Sequence, residues 1–309
     1  MSAQTSEIEK AAHLEVEGAA SGNGNWDGVA MLHGKLYCCP YNASGVLVLD
    51  PASGDALSTI ECQGMDLRGD WRGIAACAGK LYCAPAKADS VLVIDPSASP
   101  AISTIDANAR SGNAHNWDGI AVCGGLLYCA PFNAASVLVV EPKTQGLRTI
   151  KCGNLGEGKW SGIAACRGKV YCAPHNAAAV LVVDPSNDDD VSFLDVAYVG
   201  DRKWSGICAC RGKLYCAPFN ATSVLAIDPN ASPGAIRLID VNILGDRRGH
   251  KRVLQRHFDA SVTGTSTLES FESDHMRVER NAFAASDLEE RRAPPESGEP
   301  QDSIHLSSR

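Results

Sequence analysis

What this 309-residue chain lacks narrows its class before any motif is read. It has no apolar run approaching the ~20 residues that span a bilayer as a helix, so no membrane partner is expected. Its first residues, MSAQTSEIEK, show neither the basic start nor the apolar middle of a secretory signal. A cytoplasmic location and thirteen reduced cysteines are the corresponding expectations. Basic residues are outnumbered, 28 to 36, and a net charge of −8 lacks the basic footprint of a general nucleic-acid binder. The eight histidines form no column, and no cysteine pair has the C-x2–4-C spacing of a zinc knuckle. No Ser-His-Asp or Cys-His set can be nominated, and neither a metal nor another cofactor is expected. The 45% of apolar residues is enough to build a substantial core.

What is present is a repeat. Trp26, Trp71, Trp117, Trp160 and Trp204 recur 43 to 46 residues apart. Each is followed by Gly at Trp+2, Tyr at Trp+11, Pro at Trp+14, Val at Trp+20, an acid at Trp+24 and Pro at Trp+25. A period of this length decides the fold. In the second copy, Gly73–Cys77, Lys80–Cys83, Ser90–Ile94 and Ile102–Ile105 read as four strands. Ala78-Gly79 suits a two-residue hairpin, and Asp95-Pro96 ends the third strand. No helical period of 3.6 interrupts any copy. Four short antiparallel strands per ~45 residues is the pattern of a propeller blade. A separate sandwich per copy would leave a sheet face unburied. The expected fold is therefore all-β, a β-propeller of five four-stranded blades over residues 13–245. A flexible N-terminus (1–12) and a disordered charged tail (246–309) flank it, since mixed charge and few apolar residues cannot offset ordering entropy. Small residues such as Ala30, Ala75, Ala121, Ala164 and Ala209 place the Trp strand innermost, where blades converge. Residues 13–18 resemble a spare fourth strand, leaving open whether they close the ring on the last blade or the ring is incomplete.

The block G-I-A-x-x-x-G-K-L-Y-C-A-P-x-N-A-x-S-V-L-x-I-D-P resembles the YVTN family of β-propeller repeats from residue 26 to about 241. The resemblance implies a blade and leaves the activity open. Trp stands where that family usually has Pro, D-P replaces D-T, and five copies appear rather than seven. By architecture alone, five-fold repetition is also similar to five-bladed lectins of the tachylectin type.

Several columns are candidates for chemistry. Cysteines at Trp+6 and Trp+12 fall on opposite strand faces by hairpin parity, as small apolar residues packing blade against blade do. The Asp-Pro acids read as turn formers, since five equivalent carboxylates lie far apart at a rim. Only Asp27 and Asp118, beside their tryptophans, break the five-fold pattern among acids. His115 lies in a loop and is expected to be exposed, and His175 fills a slot held by Tyr41, Ala86, Phe132 and Phe219 elsewhere. The basic run Arg247–Arg256 reads as part of a solvated tail. The candidate ligand-binding columns are Trp26, Trp71, Trp117, Trp160 and Trp204 with Asn42, Asn133, Asn176 and Asn220; the second blade has Lys87 at the Asn position. Strand direction puts the P-x-N-A loops and the loops before Trp at one end, and the G-K and D-P turns at the other. For these columns a loop-bracing role is the favoured alternative. The expected function is a non-enzymatic binding or scaffold module for a protein, small-molecule or carbohydrate partner. The alternatives are a lectin-like sugar binder with up to five sites and a propeller hydrolase or lactonase with an axial metal.

Overall fold

The computed structural model describes residues 24–62, 71–107, 115–153, 156–231 and 235–241. The expectations for 1–12, for strand 13–18 and for the tail 246–309 fall outside these residues. Five four-stranded sheets follow one another, each built from consecutive strands in simple meander order. They are numbered here as blades 1 to 5. In blade 2 the strands are Trp71–Cys77, Lys80–Pro85, Ser90–Ile94 and Ile102–Asp106, so the first begins at the tryptophan itself.

The hairpin joining the first two strands is the tight turn its sequence implies. Ala78 and Gly79 take φ of 51° and 79°, and Arg167-Gly168 and Arg211-Gly212 do the same. Two successive left-handed residues define a type I′ turn, whose twist matches the flanking strands. The turn also fixes parity. Cys77 pairs with Lys80 and Ile74 with Cys83, which sends the two thiols to opposite faces.

At the D-P end, Asp184 Oδ1 accepts from Ser186 N at 3.1 Å, and its Oδ2 meets Lys169 Nζ at 2.8 Å. Lys35–Asp50, Lys80–Asp95 and Lys213–Asp228 repeat this pair at 2.9, 3.2 and 2.9 Å. In blade 3 both partners change together, to Leu126 and Glu141, and Glu141 accepts from Thr144 instead. These acids are turn caps tied to the neighbouring hairpin, as their position before Pro implies.

The W-x-G signature has a steric origin. Gly28, Gly73, Gly119 and Gly162 have φ between 69° and 86°, and the strand register slips beside them. A Cβ on Gly28 would lie 3.0 Å from Gly73 Cα, on Gly73 2.8 Å from Gly119 Cα, and on Gly119 3.2 Å from Gly162 Cα. A Cβ on Gly162 would meet Gly206 Cα at 3.1 Å. Inner strands therefore touch backbone to backbone, blade after blade, where only glycine fits. The Trp strand is innermost, as its small residues imply.

The ladder stops at Gly206. It has no positive φ, and a Cβ there would meet only Ala217 Cβ, at 3.9 Å. Blade 5 has its own fourth strand, Ala235–Asp240, so its sheet is complete without an N-terminal strand. Among the described residues, the five blades form an arc whose last inner strand does not stack on the first.

The core lies between blades. Leu81, Cys83, Leu92 and Ile94 on blade 2 are fully buried against Tyr37, Cys39, Val46 and Val48 of blade 1. Matching clusters join blade 2 to 3, 3 to 4 and 4 to 5. The Trp+12 thiols Cys83, Cys129, Cys172 and Cys216 sit inside these clusters. Burial pushes the Cys216 thiol up to about 12. The packing reading does not extend to the outward faces of the end blades, where Cys38 is half-buried and Cys208 and Cys210 are exposed, and Cys77 of blade 2 is only half-buried. Among the described residues, no further blade packs on the outward face of either end blade.

Candidate ligand face at one end of the propeller

The loops before Trp and the P-x-N-A loops meet at one end. The carbonyl of residue Trp−1 binds them within each blade: Asn25 O accepts from Tyr41 N at 2.9 Å and Asn42 N at 3.0 Å. The same atom in Lys203 accepts from Phe219 N at 2.8 Å. A second stitch crosses between blades. Asn116 N donates to Ala86 O at 2.8 Å, Lys159 N to Phe132 O at 2.8 Å, and Lys203 N to His175 O at 2.9 Å. Backbone bonds of this kind satisfy loop groups that burial would otherwise strand.

The tryptophans belong to this framework. Each indole N–H donates to the backbone carbonyl nineteen residues on, from Trp26 to Gly45 O (3.0 Å) through Trp204 to Ser223 O (2.8 Å). Trp71, Trp117 and Trp160 bond Ser90, Ser136 and Ala179 in the same way. All but the half-buried Trp26 are wedged between blades, so four of the five indole faces are covered by protein. The asparagines are held too. Asn133 Oδ1 accepts from Gly158 N at 2.7 Å, in the next blade's loop, and Asn176 Oδ1 accepts from Arg202 N at 2.8 Å. Their amides point back: Asn42 donates to Gly24 O at 3.0 Å, Asn176 to Glu157 O at 3.1 Å, and Asn220 to Asp201 O at 3.3 Å. Lys87, in blade 2, is exposed.

Beside this repeated framework run two columns that vary from blade to blade. At Trp+1 stand Asp27, Arg72, Asp118, Ser161 and Ser205, the second residue of each inner strand. Because inner strands touch, residues about 45 apart in the chain become neighbours. Arg72 Nε lies 3.3 Å from Asp27 Oδ2, and its Nη1 lies 3.5 Å from Asp118 Oδ2. Ser161 Oγ is 2.9 Å from Asp118 Oδ2 and 3.2 Å from Ser205 O, so its single proton serves one acceptor at a time. Burial raises the Asp118 carboxyl above the usual range, against the opposing pull of Arg72 and Ser161. Asp27 is likewise raised by burial, with Arg72 opposing.

At Trp+15 stand Tyr41, Ala86, Phe132, His175 and Phe219. Arg72 Cζ sits 4.7 Å from the Tyr41 ring centroid. Across blades 3 to 5 the rings form a line: His115 to Phe132 at 4.3 Å, Phe132 to His175 at 5.4 Å, and His175 to Phe219 at 6.3 Å. His115 is therefore half-buried in a stack rather than exposed. The expectation for a loop histidine fails because Phe132 of its own blade covers one ring face. Burial, with Arg72 nearby, pushes the His115 imidazole down to about 4, so it is neutral at pH 7. His115 Nε2 is buried and has no hydrogen-bond partner among the described residues.

Sequence reasoning missed two further buried groups at this end. Lys159 and Lys203 are covered, and their Nζ atoms donate to Gly156 O (3.0 Å) and Gly200 O (3.2 Å). Desolvation lowers both ammonium groups. Among the described residues, no group of three or more His, Cys, Asp or Glu is gathered as for a metal ion.

Stacked four-stranded sheets around a shared line of inner strands define a β-propeller, and similarity to solved structures agrees. A catalytically inactive virginiamycin B lyase from Staphylococcus aureus with quinupristin superposes with a TM-score of 0.61 at 9% identity, over 72% of this chain and 73% of that one. A nidogen/laminin complex gives 0.51 at 16% identity, over 70% and 80%. The extracellular domain of a one-component system from B. thetaiotaomicron gives 0.54 at 12% identity, over 69% of this chain and 30% of that one. No protein-family model and no curated protein matches the chain. At these identities the likeness defines the fold alone.

Proposed function

We propose that this propeller is a non-enzymatic binding module, with one ligand site on the end where the Trp+1 and Trp+15 columns converge. One observation carries the reading. Five blades keep the same four strands, the same tight hairpin and the same Trp bond, yet the Trp+1 column holds three residue types and the Trp+15 column four. A scaffold held constant around side chains that vary is how a site is placed on a repeat fold. Asp27 and Asp118 outnumber Arg72, and beside them lies a line of neutral rings. A molecule with a flat or aromatic body and a cationic group fits this combination, through stacking and charge-assisted hydrogen bonds. His115 Nε2 supplies a further polar contact.

The lectin-like reading needs five similar sites. It is weakened because most indoles are covered and the asparagines are spent on loop backbones. The hydrolase reading draws support from the lyase among the structural neighbours, from the raised carboxyls and from the Ser161 hydroxyl bonded to Asp118, yet both of these residues are buried, and among the described residues no histidine is bonded to that hydroxyl. Ligand-observed NMR with aromatic amines, their neutral analogues and a set of monosaccharides separates these readings. Aromatic amines should bind the wild type and lose binding at least tenfold in Asp118→Asn or Phe132→Ala. Preferential binding of the sugars, undisturbed by either change, would sink the proposal.

A further inference from the structure

The two ends of the arc carry unmatched halves of one interface. At each of the four internal junctions, the trailing face of a blade packs on the leading face of the next. The trailing residues are Tyr37, Tyr82, Tyr128 and Tyr171, all buried; the leading residues include Leu81, Leu127, Val170 and Leu214, all fully buried. Blade 5 repeats the trailing face with Tyr215, and blade 1 repeats the leading face with Leu36. There, however, both are half-exposed. On the leading face of blade 1, Val29 and Met31 are 59% and 68% exposed. On the trailing face of blade 5, Cys208, Cys210 and Ala217 are exposed. Charge on the trailing face of blade 5 lies at its edges, at Lys213 in the hairpin, where Lys80 and Lys169 stand at internal junctions, and at Arg237 in the outer strand, where Arg148 stands in blade 3. Paired, contiguous apolar faces of this kind mark interaction surfaces.

We propose that blade 5 of one molecule docks on blade 1 of a second copy, head to tail, reproducing the internal blade junction between chains. The four internal junctions show the fit directly, since both faces are variants of surfaces already packed against one another in the same molecule. Closure within one chain is disfavoured by those same junctions. Their backbone contacts near 3 Å and their filled apolar clusters fix the angle between blades, and closing the arc would open all four. Because the contact joins unlike faces, each dimer keeps one free end of each kind, and association continues with concentration. This inference is independent of the ligand reading, because the end face and the docking faces use different residues.

Two substitutions test it. Gly206→Ala adds a Cβ that meets only Ala217 in the free molecule, yet a second inner strand stacked there would meet it as Gly73 meets Gly119, at about 2.8 Å. Met31→Asp places a charge on the other face at an exposed position. Sedimentation equilibrium of the wild-type chain should show a mass rising with concentration from 32.5 kDa to beyond the dimer. Each variant alone should remain monomeric at all concentrations. Their mixture should form a 1:1 dimer and stop there, because blade 5 of Met31→Asp and blade 1 of Gly206→Ala are both intact. Circular dichroism melts of the two variants matching the wild type show that loss of association is not loss of fold. A wild type that stays monomeric, a variant that still self-associates, or a mixture that does not associate would each overturn the proposal.

Discussion

Replacing Gly73 with alanine should be far more costly than the same change at Gly206, although both occupy the Trp+2 position of an inner strand. At Gly73 the backbone has φ of +69°, where an L-residue costs about 1–2 kcal/mol. The new Cβ also arrives 2.8 Å from Gly119 Cα, a backbone atom of the next blade that no rotamer change can move. Overpacking of this kind adds about 1–3 kcal/mol, so the total loss is about 2–5 kcal/mol. At Gly206 there is no positive φ, and the Cβ has ordinary contact with Ala217 at 3.9 Å. Alanine there removes unfolded-state freedom and should be neutral or stabilising by about 0.4–1 kcal/mol. Urea unfolding followed by tryptophan fluorescence, at a concentration where the chain is monomeric, measures both. Equal losses at the two positions would refute the idea that the glycine column exists for contact between blades.

Asn133→Ala should lower stability by about 1–3 kcal/mol, because it strands a part-buried loop N–H of the next blade, and Asn176→Ala by about 0.5–1.5 kcal/mol, because water can reach the exposed Arg202 N–H; thermal melts check this. Timed alkylation with mass spectrometry should label Cys208 and Cys210 first, Cys38 and Cys77 next, and Cys83, Cys129 and Cys172 only after denaturation. The Asp184 carboxyl, held near 2 by Lys169 and then Ser186, lies below its unfolded value near ~3.9. The stability from that pair is present above pH ~4 and lost as pH falls toward 2, so the difference between wild type and Lys169→Met should vanish over that window. His115 is held near 4, below its unfolded ~6.5, so it takes up a proton on unfolding and should destabilise the fold as pH falls from ~6.5 to ~4. NMR titration should place its imidazole near 4 and show it moving upward when Phe132→Ala opens the stack.

The repeat frame made most of the fold legible. Tyr, Pro and the acid keep fixed offsets from Trp, and those offsets are set by strand length and turn type, both local properties. Hairpin parity at Ala78-Gly79 sorted the cysteines to opposite faces without any three-dimensional information. The glycine of W-x-G was visible as a constant, but its cause, a backbone contact with the next blade, involves a residue about 45 positions away. The same holds for the ligand face. Asp27 and Asp118 were noticed as breaks in symmetry, yet Arg72 between them gains its meaning only when neighbouring inner strands touch. His115 was misjudged because a ring that stacks on Phe132 has no local sequence sign. The burial of Lys159 and Lys203 was equally hidden, since the carbonyls that receive their Nζ atoms belong to loops without a motif. Exposure of Met31 and Cys208 follows from their place on the outward faces of the end blades, where no further blade packs among the described residues, and one copy read alone carries no sign of that place.

On the proposed function, broken symmetry at one end of a symmetric scaffold makes a single site. Calorimetric titration of the monomeric chain with the best-binding aromatic amine counts it most directly. One equivalent per chain, abolished by Asp118→Asn and unaffected by Met31→Asp, is the predicted result. Several equivalents per chain, falling by one with each Asn→Ala change at positions 42, 133, 176 and 220, would contradict it.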